Sequence, residues 1–141
     1  MNYIDTFIVV AEDCPVSHSV VPESKADRKK SVAVIQYELL AEKPYELTQE
    51  DVLFQTHVLH KQVPADELKA SGAPMREEFF AQPQPCLRTS PLARKYGWGF
   101  HFDSAGKVAL YPVESSEYQQ FSCEASPSLG QRLKAFRSSR G

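Results

Sequence analysis

Two short runs of alternating side chains, WGFHFD (98–103) and KVALYP (107–112), place the strongest constraint on how this chain can fold. Three residues ending in Gly106 join the two runs. A connection of this kind is typical of a type I turn with a G1 bulge, which here pairs Phe102 with Val108. The sequence therefore predicts an antiparallel hairpin with a fixed register.

This register assigns every hairpin side chain to a face, because side chains alternate along a strand. One face is predicted to be core because it carries the large apolar side chains, namely Trp98, Phe100, Phe102, Val108 and Leu110. The second face combines two very small residues with two amphipathic ones, namely Gly99, Ala109, His101 and Tyr111. A helix backbone or a ligand can approach closely on that second face.

The remaining sequence predicts an α+β fold around this hairpin. Residues 3–10 are rich in β-branched and aromatic types, which favours a strand that joins the hairpin in a small antiparallel sheet. Apolar spacing predicts three longer helices packed against the sheet, near 26–42, 49–61 and 74–81, the last of them after a break at Ser71–Pro74. Two short helices are predicted near 91–96 and 114–121.

Capping residues mark the predicted helix starts. Ser24 with Asp27 resembles a capping box for the first helix, and Thr48 with Asp51 repeats the pattern for the second. Ser90, which precedes a proline, is a strong start for the first short helix.

The charges are unevenly distributed along the chain. All 18 acidic residues and 12 of the 16 Lys and Arg lie in residues 1–125, giving −6 there, and the other four cations give residues 126–141 a charge of +4. We predict one globular domain over 3–121 and a disordered basic tail over 122–141. A net acidic domain argues against a broad nucleic-acid surface.

Three features predict a cytoplasmic location. No window approaches the roughly 20 consecutive apolar residues of a membrane span. Asp5 stands where a signal peptide would carry positive charge. The chain has three cysteines and no CxxC pair, which favours free thiols in a reducing compartment.

The start of the helix near 91–96 is the main candidate for a binding site. Its unpaired N–H groups, flanked by side-chain hydroxyls and arginines, could hold a small anion. Together with the polar members of the second hairpin face, these are the predicted ligand-binding residues: Arg88, Thr89, Ser90, Arg94, His101 and Tyr111. The alternative is that Ser90 is only a cap and that Arg88 pairs with an acidic residue.

The sequence contains candidate catalytic residues but no complete catalytic motif. Cys86 is a candidate nucleophile and His101 a candidate general base, against the alternative of a buried structural thiol. No metal or other cofactor is predicted, since two pairs of ligands fall short of a zinc site, His57 with His60 and Cys14 with His18. The sequence also lacks a glycine-rich phosphate loop, a GxSxG motif and a dinucleotide fingerprint.

Several segments carry a resemblance to a known family. They are AEDCP at 11–15, DVLF at 51–54, REEFF at 76–80 and CLR-SPL-RKYGWG-H-D--GK-ALY-VES-EY across 86–118. Together they resemble a family of small, mostly bacterial proteins known only as a domain of unknown function, over most of residues 3–121. The resemblance implies a single α+β domain and carries no activity, substrate or catalytic residue. The tail after Phe121 lies outside it.

These observations lead to one expected function and two alternatives. We expect a cytoplasmic, non-catalytic protein that binds a small anionic ligand or a protein partner. The first alternative is an enzyme that uses Cys86 as a nucleophile or His101 as a general base. The second is an adaptor that acts through its basic tail.

Overall fold

A computed structural model describes residues 2–24, 29–123 and 131–137. The described residues form five α-helices, one 3-10 turn and a four-stranded sheet, so the α+β prediction is confirmed. In chain order the elements are β1 (Thr6–Val9), α1 (Val32–Glu42), α2 (Gln49–His60), α3 (Ala65–Ala81), the 3-10 turn (Leu87–Thr89), α4 (Pro91–Arg94), β2 (Trp98–Phe102), β3 (Val108–Pro112), α5 (Ser116–Ser122) and β4 (Gln131–Lys134).

The predicted hairpin, β2 and β3, forms one half of the sheet, whose strand order is β3-β2-β1-β4. Phe102 pairs with Val108, as the turn length predicted. Gly106 has φ +80°, and the Asp103 carboxylate accepts hydrogen bonds from the Lys107 and Ala105 N–H groups, so the turn is fixed on both sides. β1 runs antiparallel to β2, which confirms that the first strand joins the hairpin.

The predicted core face is buried under the helices. Phe100, Phe102 and Val108 are fully buried in one apolar cluster that includes residues of β1, α1, α2 and α4. Trp98 and Leu110, at the margin of this face, are partly buried against the same cluster. Packing of the large apolar side chains therefore fixes which face of the hairpin points to the helices.

The first helix begins later than predicted. α1 starts at Val32 rather than near residue 26, and the Ser31 side chain caps it by accepting a hydrogen bond from Val34 N–H. An earlier start would place Lys29 and Lys30 in the first turns, where positive charge opposes the helix dipole. The predicted cap partner Asp27 lies outside the described residues.

The other helix predictions are close to the structure. The capping box of Thr48 and Asp51 at the start of α2 is complete. α3 continues from Ala65 through the predicted break, where Ser71 has the non-helical angles φ −132° and ψ 16°. Pro74 follows this kink within one turn, at a position where its missing N–H costs little. α4 is shorter than predicted, and Gly97, at φ +78°, follows it.

The C-terminal residues correct two predictions. Residues 131–134 form β4, which pairs in parallel with β1, so the sheet is mixed rather than antiparallel and this part of the predicted disordered tail is ordered. The edge of β1 can form main-chain hydrogen bonds with any strand, whatever its side chains. Amino-acid composition therefore does not predict this pairing. Ala135 is buried in the main core. The rest of the tail, 124–130 and 138–141, lies outside the described residues.

Among the helices of the described ranges, none has the length and hydropathy needed to cross a membrane.

Candidate functional site

The hydroxyls predicted to bind an anion already have partners within the protein. Ser90 Oγ accepts a hydrogen bond from Leu92 N–H and donates one to Gln36 Oε1 at 2.5 Å. Thr89 Oγ1 donates to the Cys86 carbonyl at 2.7 Å. Ser90 is thus a helix cap, the alternative that the sequence left open, and α4 has only four residues.

The two predicted arginines lie beside the same short segment but make different contacts. Arg88 donates from Nε to the Lys134 carbonyl at 2.7 Å, and its guanidinium lies 4.4 Å from the centre of the Phe136 ring. Arg94 donates from Nη1 to the Thr89 carbonyl at 3.5 Å, and its buried Nε has no hydrogen-bond partner among the described residues. Arg88 therefore contacts the C-terminal residues in place of the acidic partner that the alternative proposed.

His101 and Tyr111 belong to a separate cluster on the second face of the sheet. The Tyr45 hydroxyl is joined by hydrogen bonds to His101 Nδ1 at 2.9 Å and to the Tyr111 hydroxyl at 2.7 Å. The His101 ring stacks on Phe121 of α5 with 4.0 Å between ring centres. Helix α5, rather than a ligand, thus takes the close approach that the small residues Gly99 and Ala109 allow.

Burial shifts the pKa of two members of this second-face cluster, His101 and Tyr45. Loss of water lowers the pKa of His101, an effect that the charge of Asp103 partly opposes. Burial, together with the hydrogen bond to Tyr111, raises the pKa of Tyr45. Both shifts favour the neutral forms of His101 and Tyr45. Nothing in the sequence pattern singled out Tyr45, which reaches the cluster from the loop between α1 and α2 with φ +59°.

The six predicted site residues therefore do not converge. Arg88, Thr89 and Ser90 lie with the helices on the core face of the sheet, where Leu87 joins the main core. His101 lies on the opposite face, since its strand neighbours Phe100 and Phe102 point into that core. A single pocket cannot use both groups.

The structure instead shows a cavity of about 240 Å³ beside Thr89 and Ser90. Helix α2 supplies one stripe of its lining at i, i+3, i+4 and i+7, namely Leu53, Thr56, His57 and His60. Helix α1 adds Val32 and Gln36, α3 adds Phe79, and the remaining wall is Gln84, Pro85, Cys86, Thr89, Ser90 and Pro91. We call residues 84–91 the cavity wall.

The chemistry of this cavity is set by its imidazoles. None of the described residues that line it is acidic, although the chain as a whole carries 18 acidic residues. The hydroxyls of Ser90, Thr89 and Thr56 donate to protein acceptors. His57, whose ring packs 4.7 Å from that of Phe79, and His60 therefore supply donors that a ligand can reach. The spacing of His57 and His60 is visible in the sequence, where the pair is considered only as possible metal ligands. The described residues contain no cluster of three or more metal-ligating side chains.

Cys86 lines the same cavity and is partly buried. Burial, together with the neighbouring Cys86 side chain, raises the pKa of Tyr3 to about 12. Tyr3 packs edge-on against Phe102 of the core face, so Cys86 and His101 lie on opposite sides of the sheet. His101 is therefore not placed to act as a base for this thiol.

A larger cavity of about 470 Å³ lies along α1 and is less specific in its chemistry. Its lining mixes cations and acids, including Lys30 and Glu38, which form an exposed ion pair at 2.8 Å. Charges that are already paired at the surface offer little to a charged ligand. The cavity beside the wall is the stronger candidate.

Fold and site together define a small α+β protein with a compact cavity on the helical side of its sheet, and the described residues that line this cavity include no acidic side chain. The chain belongs to a family of unknown function, DUF6157, which matches residues 1–141. The match includes the C-terminal residues, which the resemblance had left out. No curated protein and no solved structure matches the chain.

Proposed function

We infer that this protein binds a small anionic ligand, without transforming it, in the cavity lined by His57, His60 and the cavity wall. The observation that carries the proposal is that the described lining residues include two imidazoles and no acidic side chain, in a chain of net charge −2. Buried anions need nearby donors or positive charge, and imidazole offers both. The apolar part of the lining, with Phe79 and Leu53, would pack against the carbon skeleton of the ligand.

The size of the cavity narrows the ligand class. Drug-sized sites enclose about 300–1,000 Å³, and this cavity encloses about 240 Å³. A small carboxylate or a phosphate fits this volume better than a nucleotide does.

Thermal-shift measurements with inorganic phosphate, sulfate and short-chain carboxylates test the proposal. A ligand at 100 times its Kd stabilises the folded state by about 2.7 kcal/mol. We expect such stabilisation for at least one anion, its loss in His57→Gln or His60→Gln, and its retention in His18→Gln, which changes a histidine outside the cavity. Absence of any anion-dependent shift, or an equal shift in all three variants, would refute the proposal.

An enzyme with Cys86 as nucleophile is the second candidate. It is favoured by the presence of His57 and His60 in the same cavity as the thiol, where either could serve as the base. A thiol activated by a base reacts with alkylating reagents at lower pH than an ordinary thiol does. If the pH profiles for alkylation of Cys86 and of the exposed Cys123 coincide, this candidate is ruled out.

A cytoplasmic location forms part of the proposal. The three cysteines are unpaired, in keeping with a reducing compartment. A membrane-impermeant thiol reagent added to intact cells should leave Cys123 unmodified, and its labelling there would place the protein outside the cytoplasm.

A further inference from the structure

The C-terminal segment, residues 131–137, lies against the outer side of the cavity wall at Arg88. Phe136 N–H donates to the Arg88 carbonyl at 2.9 Å. In return, Arg88 Nε donates to the Lys134 carbonyl at 2.7 Å, and the guanidinium lies 4.4 Å from the centre of the Phe136 ring. Arg88 thus contacts the segment in three ways, through its carbonyl, its side-chain N–H and the face of its guanidinium.

Arg88 is directly linked to the residues that line the cavity. It is the middle residue of the 3-10 turn, in which Thr89 N–H donates to the Cys86 carbonyl. Cys86, Thr89 and Ser90 line the cavity, whereas Leu87 is buried and its N–H donates to Gln49 Oε1. A turn this short moves as a unit, because its internal bonds tie each residue to the next. Displacement of Arg88 would therefore move the lining residues on both sides of it.

The segment is itself held by the sheet. β4 pairs in parallel with β1 at the edge of the sheet, and Ala135 N–H donates to the Val9 carbonyl at 3.0 Å. Ala135 is buried, whereas Phe136 is 45% exposed. Exposed chain segments with few buried side chains belong to the parts of a protein that open at low free-energy cost. The Phe136 end of the segment can therefore release the wall while Ala135 stays in the core.

We propose that the C-terminal segment is a strap that positions the cavity wall and thereby regulates ligand binding in the cavity. This inference rests on the proposed function, since it names the regulation of the same site. Docking of the strap and binding of the ligand favour the same arrangement of the wall. By linkage, the docked strap strengthens ligand binding, and a bound ligand strengthens docking of the strap by the same factor.

Alkylation of Cys86 by iodoacetamide in the full chain reports the position of the wall without any ligand. Arg88→Ala removes both side-chain contacts, and Phe136→Ala removes the ring under the guanidinium. Loss of one hydrogen bond of ordinary net strength, or of one cation–π contact, corresponds to about a 2- to 10-fold rise in the open population. We therefore expect the Cys86 alkylation rate, measured by peptide mass spectrometry, to rise by this factor in both variants when opening is fast.

Arg137→Ala is the matched control, because it removes a cation of the same segment whose charge acts on Glu12. Its Cys86 rate should equal that of the unaltered chain. Phe136→Tyr, which keeps an aromatic ring under Arg88, should restore the low rate. Circular dichroism establishes that each variant is folded. The strap proposal is refuted if the Cys86 alkylation rate is unchanged in folded Arg88→Ala and Phe136→Ala. It is also refuted if Arg137→Ala raises that rate equally.

Anion-binding measurements on the same variants separate this inference from the proposed function. Where phosphate or a carboxylate stabilises the unaltered chain, Phe136→Ala should lower the affinity for that anion. The factor should equal the factor by which Phe136→Ala raises the Cys86 alkylation rate. An unchanged affinity would refute the coupling between strap and cavity. If no anion binds while the Cys86 rates respond as expected, the proposed function fails and the strap stands as a device that controls access to Cys86.

Discussion

The two faces of the central sheet are buried in different ways. On the core face, Phe100, Phe102 and Val108 lie fully buried among residues from three helices. On the second face, the short helix α5 packs its Tyr118 and Phe121 against the sheet. The stability of the core face therefore depends on the volume of its apolar side chains, whereas that of the second face depends on specific side-chain contacts.

Those partners are polar and aromatic together. The second face contains the hydrogen-bonded chain of His101, Tyr45 and Tyr111, and the ring of Phe121 closes over it. Tyr118 contributes a further bond, since its hydroxyl accepts from Val10 N–H at 2.9 Å. Buried polar groups need their partners in place, so this face tolerates changes of chemistry poorly even where it tolerates a loss of volume.

Truncation of a large ring on each face gives the largest expected difference. Phe102→Ala empties a fully buried site and should lower the free energy of unfolding by about 3–5 kcal/mol. Phe121→Ala removes a partly buried ring and should cost less, about 1–2 kcal/mol. Urea unfolding of both variants measures the difference. Equal losses would show that α5 contributes as much as the main core.

A methyl group added on the second face tests how closely α5 approaches. A Cβ atom at Gly99 would lie 2.6 Å from Phe7 Cζ and 2.8 Å from Tyr118 Cε2. Gly99→Ala should therefore destabilise the protein by about 1–3 kcal/mol through overpacking. Gly72→Ala in α3 is the control, because its Cβ meets Leu68 Cδ1 at an ordinary 3.5 Å. If Gly99→Ala leaves the stability unchanged, the rings of Phe7 and Tyr118 can move apart.

Removal of one hydroxyl tests the hydrogen-bonded chain. Tyr45→Phe should lower the free energy of unfolding by about 1 kcal/mol, the usual net value of a hydrogen bond. It leaves the His101 ring nitrogen and the Tyr111 hydroxyl without this partner. Combined with Tyr111→Phe, the two losses should be non-additive, because both changes remove the same 2.7 Å contact. Chemical denaturation of the single and double variants measures the coupling. Strict additivity would argue against a connected chain.

Acidification should produce the smallest effect. Burial lowers the pKa of His101 in the folded state, so the unfolded chain binds its proton first as the pH falls. The stability contributed by neutral His101 is present above the unfolded value and is lost as the pH falls through the folded one. His101→Gln should reduce the loss of stability between pH 8 and pH 5. If the pH profile of this variant matches that of the unaltered chain, His101 does not have this role.

The sequence predicted local structure well where one residue type allows few conformations. The turn ending in Gly106, the capping box of Thr48 and Asp51 and the glycine after α4 all lie where the pattern placed them. The register of the hairpin followed from turn length and alternation alone. Its core face was also predictable, because only one face carries large apolar side chains.

The candidate site was less predictable because its parts are distant in the chain. Gln36, His57 and Cys86 meet in one cavity although about 50 positions separate the first from the last. No local pattern records such a meeting. The residues predicted from local signals, Arg88 and Ser90, proved to be held by internal partners.

By itself, the sequence determined the α+β class, the hairpin register and the face that becomes core, since these depend on neighbours in the chain and on side-chain alternation. Only the tertiary structure decided that α5 covers the second face, that β4 completes the sheet and that two histidines share a cavity with Cys86. These depend on which distant surfaces bury one another, and main-chain pairing at an open sheet edge requires no particular side chain.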